Sequence, residues 1–83
     1  MDAALVRLLE KVEGGEALTD AELDELSAFA RQDGGRVLRT AVAQALLERE
    51  AVADAMAVLD GLERDFPHDA QVMLARARAF VSQ

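Results

Sequence analysis

ALLEREAVADAMAVLDGLERDFPHDAQVMLARARAF, residues 45–80, decides the fold. Apolar residues recur through it at helical spacing, and nothing in it alternates as a strand would. Val52, Ala55, Leu59, Leu62 and Phe66 fall on one stripe, which predicts a helix. Pro67 disfavours helical geometry at Phe66 and ends that helix. Asp69 then stands where an N-cap belongs, ahead of a further apolar pattern of Val72, Met73, Ala77 and Phe80. The stretch RDFPHDAQ, 64–71, holds the single proline and the single histidine of the chain. His68 has no neighbour suited to acid–base work, so it reads as an exposed turn residue. Gly61, inside the helix, reads either as a packing residue or, preferred here, as an exposed glycine that the helix tolerates.

Three more helices follow on moving toward the N-terminus. One spans about Arg36 to Arg49, with Leu38, Ala41, Val42, Ala45 and Leu46 inward, and the charged Glu48-Arg49-Glu50 break follows it. Before it, Gly34-Gly35 stops a helix that opens at LTDAEL, 18–23. Thr19 is its N-cap and Glu22 completes a capping box, while Leu18 and Leu23 suit a hydrophobic staple. Leu23, Leu26, Phe29 and Ala30 form its inner face. The first helix runs from about Asp2 to Glu13 on Leu5, Leu8, Leu9 and Val12, and Gly14-Gly15 closes it. The fold class is therefore all-α, with five antiparallel helices in one domain.

The 83 residues allow only a small core, burying about 60 to 65% of the unfolded surface. Domains of this size commonly gain stability by oligomerising or by holding a partner. Cysteine is absent, which removes disulfides and thiolate chemistry and fits a cytoplasmic location. No segment reaches the roughly 20 apolar residues that a membrane span needs, so no membrane insertion is expected. The net charge of −7, without Tyr or Trp, argues against nucleic acid as a partner. Abundant Ala and Arg hint at a bacterial, GC-rich source.

Displacing the chain against itself by 34 residues aligns Val12 with Leu46, Leu18 with Val52, Ala21 with Ala55 and Ala28 with Leu62. A second step aligns Ala43 with Ala77 and Leu46 with Phe80. Two helices in a period of 34 is tetratricopeptide spacing. Residues 36–80 resemble that family. Ala43 and Ala55 stand at its close-packing positions, Leu46 at the large apolar position, and Pro67 at the end of the unit. The domain then divides into a degenerate unit, 2–33, a clearer unit, 36–67, and an extra C-terminal helix, 69–82. The N-terminal unit departs from the pattern, with Glu25 where Leu59 stands one repeat later and no closing proline. Arg39 and Arg76 also occupy positions that the family usually fills with apolar residues.

Catalytic chemistry has no foothold in these residues. Ser27 and Ser82 have no base nearby in sequence, and Thr19 is used as a cap. Asp20, Glu22, Asp24 and Glu25 lack the spacing of a calcium loop, and a first helical turn suits them electrostatically. The chain reads as a non-enzyme with no cofactor and no metal.

The resemblance implies a groove lined by the first helix of each unit. By register it would carry Ala3, Val6, Arg7 and Glu10, then Val37, Thr40, Ala41 and Gln44, then Gln71, Leu74, Ala75 and Arg78. The Lys, Arg and Asn of the family's carboxylate clamp are mostly missing there, so an amphipathic helix is the better guest. In the competing reading, Val6, Val37 and Leu74 are simply buried in a tight bundle. Met73, Ala77 and Phe80 would face a following helix in a complete repeat. No such helix follows in this sequence, so these residues and Leu74 are expected to be partly exposed and to form an interface. Two functional expectations result. One is a small adaptor or chaperone holding a helical segment of another protein, similar in size and acidity to the small helical chaperones of type III secretion needle subunits. The other is a self-association module whose partner is a second copy.

Overall fold

A computed structural model describes residues 3–33 and 35–82. Asp2, the expected start of the first helix, lies outside the described residues, as do Gly34 and Gln83. The chain forms α1 (Ala3–Glu13), α2 (Asp20–Asp33), α3 (Arg36–Glu48), α4 (Val52–Asp65) and α5 (Ala70–Ser82). No strand occurs among the described residues. The Cα radius of gyration, 11.7 Å, is that of a compact domain of this length, about 12 Å.

Each helix ends where the local chemistry stops it. At the end of α1 the Glu16 amide bonds the Lys11 carbonyl (2.9 Å), and the Gly15 amide bonds that of Val12 (3.1 Å). That paired closure needs a left-handed residue, which Gly15 supplies at φ 76. The same closure ends α3, through Ala51 N–H to Leu46 (2.9 Å) and Glu50 N–H to Leu47 (3.0 Å). Here the left-handed residue is Glu50, at φ 61, so the charged break is a true helix terminus. α3 stops at Glu48, with Arg49 as its cap.

The capping box of α2 forms reciprocally. Thr19 N–H bonds Glu22 Oε1 at 3.0 Å, and Glu22 N–H bonds Thr19 Oγ1 at 3.1 Å. Leu18 is buried and Leu23 packs on the same cluster, as a staple requires. Past Pro67, His68 is exposed and left-handed, at φ 66. Asp69 Oδ1 caps α5 by accepting from the Gln71 amide (2.9 Å) and the Val72 amide (3.2 Å).

α3 is the central element. It packs against each of the other four helices, α1 also meets α2, and α4 also meets α5. Among the described residues, no Cα of α2 comes within 8 Å of one in α4. Two apolar clusters result, one on either side of α3. Leu5, Leu8, Val12, Leu26, Leu38 and Val42 join α1, α2 and α3. Ala43, Leu59, Leu62, Val72, Ala75 and Ala79 join α3, α4 and α5. Val58 packs against both. Each fully buried Leu or Val contributes about 1.5 to 3 kcal/mol, and Leu26, Leu59, Leu62 and Val72 are the largest of these.

Two expectations need correction. Val72 does not share a face with Met73, Ala77 and Phe80. It is buried with Ala75 and Ala79, while the other three are exposed on the opposite side. Gly61 follows the packing alternative and not the preferred exposed one, since it is half-buried beside Arg39. A Cβ there would lie 3.1 Å from a guanidinium nitrogen of Arg39. That guanidinium is held by Asp65 at 2.6 Å and lies 6.0 Å from the Phe66 ring centre. Arg39 is thus held over an aromatic ring while its charge is met by a carboxylate.

Candidate protein-interaction site

Arg36, Thr40 and Gln44 are four residues apart on α3 and so share one ridge of that helix. With Val37 and Ala41 they form one wall of a groove. Leu9, Val12 and Glu13 of α1 form the other, and Gln71 of α5 closes one end. A second groove adjoins it through Gln44 and runs between α3 and α5, past Leu47, Glu48, Ala77, Arg78 and Val81.

The first groove contains an unusual polar atom. Thr40 is 8% exposed, and its Oγ1 is buried without a hydrogen-bond partner among the described residues. A helical threonine commonly bonds back to the carbonyl four residues earlier, and Thr40 does not. A buried hydroxyl left unpaired costs about 1 to 3 kcal/mol. Around it the groove offers the carboxamides of Gln44 and Gln71 and an apolar floor.

The residues expected in the groove are only partly brought together. Val37, Thr40, Gln44 and Gln71 meet in the first groove, and Gln44 and Arg78 meet in the second. Val37 is 60% exposed, which removes the tight-bundle reading for that residue. Ala41 and Ala75 are buried and form backing. Val6, Arg7 and Glu10 are exposed on α1 but line neither groove. The groove instead uses the last turns of α1, where Leu9 and Glu13 follow Val6 at three- and seven-residue spacing. Leu74 is half-exposed and also lies outside both grooves.

Electrostatics hold this surface in place. Arg36 donates to Asp69 Oδ2 at 2.6 Å, tying the start of α3 to the cap of α5. The Arg36 guanidinium, helped by the Val72 and Gln71 amides, holds the Asp69 carboxyl below its usual range. Lys11 and Glu22 pair at 2.5 Å between α1 and α2. Lys11, and then the Thr19 amide, lower the Glu22 carboxyl in the same way. Arg76 bonds Asp60 (2.7 Å) and lies 3.0 Å from Glu63 on α4. Arg49 pairs with Asp20.

The C-terminal helix presents the other candidate surface. Met73 and Phe80 are each 59% exposed, Leu74 is 50% exposed and Val81 is 85% exposed. Ala77 is exposed between them. Among the described residues no cluster of His, Cys, Asp or Glu is arranged to hold a metal ion. No helix among them is long and apolar enough to cross a membrane. No family model, curated protein or solved structure matches this chain at a significant level.

Proposed function

We propose that this protein is a non-enzymatic interaction module, a small adaptor or chaperone that holds a helical segment of another protein. The observation that carries this reading is the Thr40 hydroxyl, unpaired and nine-tenths buried in the wall of a groove. A rotation of the Thr40 side chain about χ1 would turn that hydroxyl to the opening and to a polar partner on a docking segment, while Val37 and Leu9 receive the segment's apolar side chains and Gln44 and Gln71 bond its edges. An amphipathic helix has that combination of faces.

The fold fits as a degenerate tetratricopeptide-like stack of two antiparallel helical hairpins and an added helix. In support, α1, α3 and α5 pack in a row, while α2 and α4 stay apart on either side of α3. In such a stack the row of first helices forms the receiving surface, and the groove beside Thr40 lies on that row. The acidic surface fits a guest that carries basic residues at the edge of its apolar face.

Affinity capture from source-cell lysate, with Thr40→Val as the discriminating variant, tests this reading. The valine keeps shape and removes the hydroxyl. It is expected to raise the thermal midpoint of the free protein and to reduce capture of the partner. A wild-type protein that captures nothing, or a Thr40→Val variant that captures as well as wild type, rejects the groove.

A further inference from the structure

α5 has two opposite apolar faces. Val72, Ala75 and Ala79 point into the core. Ala70, Met73, Leu74, Ala77, Phe80 and Val81 cover an outward arc of about 120°, taking 3.6 residues per turn, and all six are exposed. A helix that is apolar nearly all round has the composition of a buried one. α5 is also the one helix without an Asp or Glu, its charges being Arg76 and Arg78 alone. Arg76 is turned toward α4 by its acids, so Arg78 is the charge that α5 itself sets on the flank of the outward arc, with Glu48 of α3 across the adjoining groove.

We propose that this face binds a second copy of itself, α5 against α5, antiparallel about a twofold axis. The seam is Ala70, Leu74, Ala77 and Val81, whose spacing of four, three and four is that of two helices packed along their length. In the antiparallel register, Leu74 of one copy lies over Ala77 of the second copy, and Val81 lies over Ala70. Every large seam residue then meets a small one. On one flank Met73 meets Phe80 of the second copy, a thioether against a ring. On the other flank Arg78 meets Gln71, so no like charges face each other. Symmetry repeats each pairing, as a twofold interface requires. A parallel pairing fails on the same residues, because it stacks alanine on alanine and sets Arg78 beside the Met73 and Phe80 flank. α5 itself also brings no carboxylate to the seam between two chains of net charge −7.

This interface goes beyond the groove reading: it shares Gln71 with the end of the first groove and Ala77, Arg78 and Val81 with the second, while Met73, Leu74 and Phe80 lie outside both. Sedimentation velocity from low to high micromolar concentration is expected to show a reversible dimer, as suits a small interface. Met73→Glu combined with Phe80→Glu is expected to give a monomer throughout, with unchanged far-UV circular dichroism. Gln71 reads the register independently. Gln71→Glu sets a carboxylate against Arg78 of the second copy twice and is expected to tighten the dimer about threefold to fivefold. Gln71→Arg is expected to loosen it by a similar factor. Val37→Glu, in the groove, is expected to leave the dimer unchanged, so that failure of either surface is seen separately. A wild-type monomer at all concentrations overturns the proposal. So does a dimer indifferent to the Met73 and Phe80 changes, or one in which the two Gln71 variants do not shift in opposite directions.

Discussion

α3 and α5 stand in the same register, 34 residues apart, and meet different fates. Ala43, Leu46 and Leu47 of α3 correspond to Ala77, Phe80 and Val81 of α5. Ala43 is fully buried, and Leu46 and Leu47 are partly buried, because α3 is packed on by all four other helices. Ala77, Phe80 and Val81 are exposed, because α5 meets only α3 and α4. Spacing along a helix marks which positions are small and apolar. Neighbours decide which of those positions are core.

The sharpest way to break that comparison is to enlarge the two equivalent alanines. Ala43→Leu should overpack the α3, α4 and α5 cluster and cost about 1 to 3 kcal/mol. Ala77→Leu, in dilute monomer, should change stability by less than about 0.5 kcal/mol. Thermal unfolding of the two variants at low concentration checks this. Equal losses would mean that α5 is covered as completely as α3.

A smaller effect should come from acid. The Asp69 carboxyl lies below its ordinary 3.8 in the folded chain, chiefly because of Arg36. A depressed carboxyl contributes stability that is fully present above the ordinary value and is lost as pH falls through the folded one. Acid titration followed by far-UV circular dichroism should therefore show helix loss below the ordinary carboxylate range. Asp69→Asn, which keeps a side-chain acceptor but not the charge, should reduce that acid dependence. An unchanged titration would mean that the Arg36 pair contributes nothing to the seating of α5. The smallest effect belongs to His68→Ala, expected within about 0.5 kcal/mol and without effect on partner capture.

Much of this architecture was legible because local chemistry dictated it. Thr19 with Glu22, Asp69 after Pro67, and Gly15 after Val12 each fix a helix end with side chains or backbone freedom written into the sequence. The inner stripes of α1 through α4 followed from spacing. α5 did not, because apolar residues lie on both of its sides and periodicity cannot choose between them. The choice between the two readings of Gly61 failed for a different reason. The glycine's neighbour Arg39 comes from another helix, and nothing local announces that contact. Of the residues expected in a groove, Val37, Thr40 and Gln44 of α3 and Gln71 of α5 do line one cleft, whereas Leu74 lies outside it and Ala75 is buried. On α1 it moved toward the C-terminal end, since register predicts which side of a helix faces inward but not how far along the helices overlap. The missing partner of the Thr40 hydroxyl could not be read at all, because threonine in a helix is ordinarily satisfied by its own backbone.

The inward contacts of α5 have a kinetic consequence. Val72, Ala75 and Ala79 are short side chains, so this helix rests on a shallow seat, pinned at its first turn by Asp69 and Arg36 and at its middle by Arg76 with Asp60 and Glu63. Such a helix opens as a unit before the rest of the molecule does. Amide hydrogens from Leu74 onward should then exchange through a low-energy, partial opening that begins at Val81 and travels back toward Asp69. α3 should keep its amide hydrogens until the whole chain unfolds. Whatever covers the outer face of α5 would act as a latch on that motion, lengthening the life of the closed state without touching the core beneath it.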